Sequence, residues 1–160
     1  MKQPRILTAE QAYLRATADC ARAERCRHDL MQRMLRGGLS REEIEDVLDR
    51  LEDEGYINSQ RYAQAYAHDK LRYERWGRQK IRQGLAAKRI AEADIRAALD
   101  ELDEAEYREI LGEVVQRKMA TTTAESDYVR NQKVARYAIS RGFEPALVFP
   151  LVGSTDPFEE

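Results

Sequence analysis

IRQGLAAKRIAEADIRAAL, residues 81–99, places Ile81 and Leu85 one helical turn apart, breaks around Lys88 and Arg89, and resumes with Ile95 and Leu99 one turn apart. Apolar residues recurring every three or four positions mark one face of an α-helix, so the stretch reads as two short helices joined by a tight turn. The same pattern is written twice more without a gap, as LMQRMLRGGLSREEIEDVL at 30–48 and VARYAISRGFEPALVFPLV at 134–152, offset by 51 and 53 residues. Leu30, Ile81 and Val134 correspond, as do Leu39, Ile90 and Phe143; Ile44, Ile95 and Val148; and Leu48, Leu99 and Val152. Amphipathic helices share a period by chance, but here the turns align as well. Gly38, Arg89 and Gly142 precede the apolar turn residue, and Ser40, Ala91 and Glu144 follow it. A pattern that returns about every fifty residues is the signature of a repeat architecture.

Each copy is preceded by another predicted helix, at 8–21, 58–73 and 103–119, the last with Tyr107, Ile110, Leu111, Val114, Val115 and Met119 on one face. The unit is a three-helix module, too small to bury much alone, so neighbouring modules are expected to share core. In the first module Thr8 is the N-cap and Leu14 the main apolar residue of its helix. Leu30, Met31, Met34 and Leu35 follow as a stripe ended by Gly37-Gly38. Ser40 to Glu43 then forms a capping box leading into Ile44, Val47, Leu48 and Leu51. Pro145 suits a first helical turn, whereas Pro150 keeps the last helix short. Residues 121–125 (TTTAE) read as the one soft joint. The expectation is an all-α protein without sheet: three tandem three-helix repeats at 8–54, 55–102 and 103–152, and a polar tail at 153–160.

Charged residues make up 35% of the 160 positions and Gly plus Pro only twelve, a composition rich in helix formers. A net charge of −2 does not fit a dedicated nucleic-acid binder, but the charge is unevenly placed. Residues 61–90 carry nine Lys or Arg against two acids, whereas 41–54 and 92–109 each carry eight acids against two Arg. Tyr62, Tyr66, Tyr73 and Trp76 are interleaved with the positive charge, a combination that can hold phosphates and stack on planar groups. Tyr62 and Tyr66 read as core, because buried aromatics dominate small helical cores. An acidic, basic, acidic order suits a partner of mixed charge, such as a protein filament on nucleic acid, better than bare DNA.

Several chemistries find no support. Cys20 and Cys26 are too few for a disulfide framework, and with His28 they lack a fourth ligand and zinc-site spacing, so reduced, metal-free thiols are expected. His28 and His68 are isolated, and Glu52-Asp53-Glu54 reads as a solvated helix end. No nucleophile and base pair, phosphate loop or paired-carboxylate motif stands out, so neither catalysis nor a cofactor is expected. No apolar run reaches membrane-spanning length and MKQPRILTAEQ has no signal-peptide core, so a soluble, cytoplasmic protein is expected.

GYINSQRYA at 55–63 is similar to the GY-(I/L)-(D/N)-x-x-R-(Y/F)-A signature of the RecX family, regulators of the RecA recombinase. RWGRQKIRQGL at 75–85 resembles that family's G-x-x-(R/K)-I-x-x-x-L segment, and the likeness covers roughly residues 8–152. It implies three tandem three-helix repeats forming an elongated curved molecule, a monomer that lodges along the groove of the RecA filament and damps ATP hydrolysis and strand exchange. Three departures are local: Gly84 stands inside a helix, Trp76 replaces a tyrosine or phenylalanine, and Lys88-Arg89-Ile90 stands where K-G-I is usual. The third module matches most loosely. Arg78 and Arg82 flank the Ile81/Leu85 seam and are expected to point outward as the leading partner contacts. Tyr73, Arg75, Trp76, Lys80, Lys88 and Arg89 support them. The competing expectation is a helical-repeat module that acts on DNA directly; for the filament binder, direct DNA contact is expected to be weak.

Overall fold

The three aligned turns are built alike. Gly38, Arg89 and Gly142 take left-handed φ values of 86°, 62° and 101°. One residue later, Leu39, Ile90 and Phe143 each send the backbone N–H to the carbonyl five residues back, on Met34, Leu85 and Ala138, at 3.2 Å in all three. This is a Schellman ending, in which a left-handed residue lets the chain satisfy orphan carbonyls and drop an apolar side chain onto the helix it has just left. Leu39, Ile90 and Phe143 are all buried. Glycine adopts the conformation freely at two of the turns; Arg89 holds it against Cβ repulsion, at a cost of about 1–2 kcal/mol.

The computed structural model describes residues 6–153, so the tail expected beyond Gly153 lies outside the described residues. Those residues form nine helices and no strand. The first repeat holds α1 (Ala9–Arg22), α2 (Arg27–Arg36) and α3 (Arg41–Asp53). The second holds α4 (Ser59–Arg72), α5 (Arg78–Ala87) and α6 (Glu92–Asp100), and the third α7 (Glu104–Thr121), α8 (Asp127–Ser140) and α9 (Pro145–Val152). Thr8 and Ser40 close full capping boxes with Gln11 and Glu43, and Asn58, Asp103 and Ser126 cap α4, α7 and α8 through their side chains. Pro145 opens α9, and Pro150 sits two residues before its end.

The core is divided unequally. Leu30, Met34, Leu39, Ile44, Leu48, Leu51 and Ile57 form one cluster confined to the first repeat and its exit. A second cluster runs without interruption through repeats two and three, from Leu71, Ile81 and Ile95 to Tyr107, Val134, Phe143 and Val148, with α4 packed on α7. Cys26 is the one buried residue from the first repeat that joins it. Neighbouring modules therefore share core at the second junction, and at the first they barely do.

Two expectations change. Leu14 is 57% exposed, and the anchor of α1 is Tyr13 at 8%. Tyr13 lies under the Arg50 guanidinium, 3.6 Å from ring centroid to Cζ, and donates its hydroxyl proton to Glu54. Leu35 is likewise exposed, which narrows the α2 stripe to buried Leu30 and Met34 with Met31 partly buried against the same cluster. Gly84 has a packing reason for standing inside α5: a Cβ there would collide with the Tyr66 hydroxyl. Its helix-propensity cost of about 1 kcal/mol is offset by that close approach.

Candidate interaction surface

α4 ends at Arg72, and the chain folds back over its last turn. The Tyr73 N–H donates to the Asp69 carbonyl at 2.9 Å and the Trp76 N–H to the Lys70 carbonyl at 3.0 Å, with Arg75 taking a left-handed φ of 54° between them. The fold-back brings two ammonium groups over the Trp76 ring. The Nζ atoms of Lys70 and Lys80 each lie 4.7 Å from its centroid, and Lys70 is also 5.4 Å from the Tyr66 ring. Such cation–π contacts contribute roughly 0.5–2 kcal/mol each, depending on how far the cation is removed from water. Tyr73 stands 79% exposed beside them.

Most of the other candidate cations are engaged within the chain. Arg78, expected to point outward, keeps only 24% of its side chain exposed. Its guanidinium bonds Glu104 at 2.5 Å and Glu144 at 3.2 Å and lies 3.8 Å from the Tyr107 ring centroid. The Tyr107 hydroxyl donates to Glu144 at 2.8 Å and accepts the Arg78 backbone N–H at 3.1 Å. Burial pushes that hydroxyl far above the ordinary tyrosine range, while Arg78, with Arg108 next, holds the Glu104 carboxyl below the usual carboxylate range. Arg75 pairs with Glu113 at 2.6 Å and Arg72 with Glu106 at 2.6 Å, both reaching into the third repeat. Arg82 pairs with Glu92 across the α5–α6 turn.

The backbone seals the same seam. The Gly77 N–H donates to the Arg141 carbonyl at 2.8 Å and the Gln79 N–H to the Gly142 carbonyl at 3.0 Å. A Cβ at Gly77 would overlap the Gly142 backbone, and one at Gly142 would come within 2.6 Å of Lys80. Two glycines thus let the α4–α5 connection and the α8–α9 turn touch backbone to backbone.

At the junction of repeats one and two, the contacts are longer side chains. Lys88 holds both oxygens of Asp29 at 2.9 and 3.0 Å, and this bond raises its pKa. Arg61 pairs with Glu24 and also reaches the Gly55 and Tyr56 carbonyls. Arg89 is exposed, on its left-handed turn beside the α2–α3 groove at His28, Met31 and Ile44.

The candidate residues therefore sort into three groups. Trp76 and Lys80 come together with Lys70, which sequence reasoning counted in the basic run but did not single out. Arg75 and Arg78 face the third repeat, and Arg82 and Lys88 hold acids elsewhere. Tyr73 and Arg89 stand free at the surface. The second acidic shoulder folds back onto the basic stretch: Glu92, Glu104 and Glu106 from residues 92–109 each take one of its arginines, whereas Glu45, Asp49 and Glu52 of the first hold Arg27 in their own repeat. Among the described residues no cluster of His, Cys, Asp or Glu could hold a metal ion, and burial raises the pKa of both cysteines.

Comparison with known proteins agrees with the architecture. The family model for the second three-helix domain of RecX matches residues 58–99, and the model for the third matches 105–151. A "Regulatory protein RecX" from Pseudomonas putida strain GB-1 is 33% identical over 155 residues, covering 94% of this chain and 96% of its own. A protein of the same name from Thermobifida fusca strain YX is 29% identical, over 89% of this chain and 80% of its own. Among solved structures, RecX from Lactobacillus salivarius superposes with a TM-score of 0.79 at 17% identity, over 90% of this chain and 94% of that one. Another regulatory protein RecX gives 0.75 at 21%, over 87% and 70%. With two family domain models matched in order and a relative alike over nearly its whole length, this chain belongs to the RecX family of regulatory proteins.

Proposed function

We propose that the protein binds a RecA-type recombinase filament on DNA and slows its ATP hydrolysis and strand exchange, acting as a cytoplasmic monomer without catalytic chemistry of its own. Membership of a regulatory family over the full three-repeat length carries the reading. The surface supports it. Lys70 and Lys80 on Trp76, with exposed Tyr73 and Arg89, offer charge and planar area to a partner. Arg75, Arg78, Arg82 and Lys88 contribute to binding only by exchanging acids they already hold. Because so much of the basic stretch is neutralised internally, naked DNA meets few unpaired cations along residues 61–90, while a filament offers protein surface as well.

The test adds the full-length protein to preformed RecA filaments on single-stranded DNA and follows ATP hydrolysis, with binding to the same DNA measured alongside. The expected result is falling hydrolysis, and filament affinity at least about tenfold above that for bare DNA at physiological salt, or about 1.4 kcal/mol. Equal affinity for coated and bare DNA sinks the filament reading in favour of a module that acts on DNA directly.

A further inference from the structure

Where the α4–α5 connection meets α7 and α8, a cleft of about 290 Å³ is lined by Arg75, Arg117, Lys118, Tyr137 and Arg141 over a Val114 floor. Four cations meet there, and one carboxylate answers them, Glu113 on Arg75. Arg141 donates to the Glu74 carbonyl, which carries no net charge. The Lys118 Nζ rests 4.5 Å from the Tyr137 centroid, and Arg117 is exposed. Cations near helix ends are favoured by the dipole at the C-termini of α7 and α8. That accounts for each residue singly but not for their convergence, which raises electrostatic energy until an anion enters.

We infer that this cleft is a site for the phosphodiester backbone of single-stranded nucleic acid, one phosphate held by the Arg117, Lys118 and Arg141 cations and a base laid against Tyr137. Guanidinium forks match phosphate oxygens bidentately, and an ammonium adds a point charge. The Tyr137 ring, 37% exposed, gives the stacking face that single-strand binders use. An acidic peptide would use the cations but gain little from the ring. The inference extends the filament reading by giving the strand its own place on the protein, at the seam of repeats two and three.

The experiment follows a fluorescein-labelled oligothymidine of about 15 nucleotides by anisotropy, with full-length protein from low to moderate salt. The probes are wild type, Arg117→Glu/Lys118→Glu, the milder Arg117→Gln/Lys118→Gln, and Tyr137→Ala. Both double variants are expected to bind at least about tenfold more weakly at low salt, and their slope of log affinity against log salt should be shallower by about 1.4, two cations at ~0.7 each. Tyr137→Ala is expected to weaken binding with the slope unchanged, while circular dichroism confirms that every variant is folded. Wild-type slope and affinity in the Gln variant overturn the site, as does displacement by polyglutamate as effective as by unlabelled oligothymidine. Filament ATPase is read in parallel on wild type. A wild type that binds the oligonucleotide through this cleft but leaves the recombinase untouched refutes the proposed function and keeps the site.

Discussion

The chain has two junctions between repeats, and they are made of different materials. Between repeats two and three a single apolar cluster passes straight through, backbone bonds join Gly77 to Arg141 and Gln79 to Gly142, and Arg78 is clasped by Glu104, Glu144 and Tyr107. Between repeats one and two the apolar clusters separate, and flexible side chains such as Lys88 and Arg61 span the gap to Asp29 and Glu24. Buried apolar area and close-packed backbone do not weaken with salt, whereas half-exposed ion pairs do. The second junction is accordingly expected to be the stiffer of the two and the first the softer, although one repeated pattern wrote all three units.

The largest expected effect breaks the stiff junction. Gly77→Ala drives a Cβ into the Gly142 backbone, where neither side can retreat without opening the seam, and should cost about 3 kcal/mol in a denaturant titration. Arg78→Glu follows, placing a third carboxylate between Glu104 and Glu144. The expected loss is about 2 kcal/mol, below the ~3–5 of a fully buried broken pair because the site remains partly open to water. Acid attacks the same seam. Arg78 holds Glu104 and Arg72 holds Glu106 below their ordinary pKa, so their stabilisation is complete above the unfolded value of about 4.3 and disappears as pH falls through the depressed folded values. A thermal-melting series from pH 6 downward, roughly a unit per step, should show the decline beginning only below that value.

Arg89→Gly should move the other way. Relieving the left-handed arginine is expected to stabilise the protein by about 1 kcal/mol, read as a higher urea midpoint. The smallest effect in free energy lies at the soft junction. Lys88→Ala should cost less than about 1 kcal/mol, since the pair with Asp29 is half-exposed, yet the radius of gyration from small-angle scattering should rise. Wild type in about 1 M salt should show the same expansion, and no change in either case would mean that the first junction is as stiff as the second.

How far these features could be read from the sequence varied with their range. The repeat was legible because a Schellman turn is local: a left-handed position, then an apolar residue, five residues beyond the carbonyl it satisfies. The placement of Tyr13 over Leu14 was not, because α1 is alanine-rich and a weak apolar stripe leaves its rotation to what α3 offers, here Arg50 and Glu54. The direction of Arg78 was hidden for another reason. Its acids lie 26 and 66 residues away, so the alternation of charge could be seen while its use as internal clasp could not. Gly84 looked like a flaw in a helix until the Tyr66 hydroxyl occupied the space that a side chain would have taken. The 117/118/141 cleft had no local signal at all, since the fold alone brings the ends of α7 and α8 beside residue 75.

The bond from Gly77 to Arg141 also has a place in time. It joins residues 64 positions apart, whereas each Schellman turn closes over five, so loop-closure entropy favours the turns forming before the seam shuts. Contacts absent from the folding transition state set how quickly the native state comes apart and leave the rate of its formation nearly alone. The paired glycines are thus the latch on the lifetime of the folded protein: a side chain at either one should hasten unfolding while refolding runs at almost its original pace.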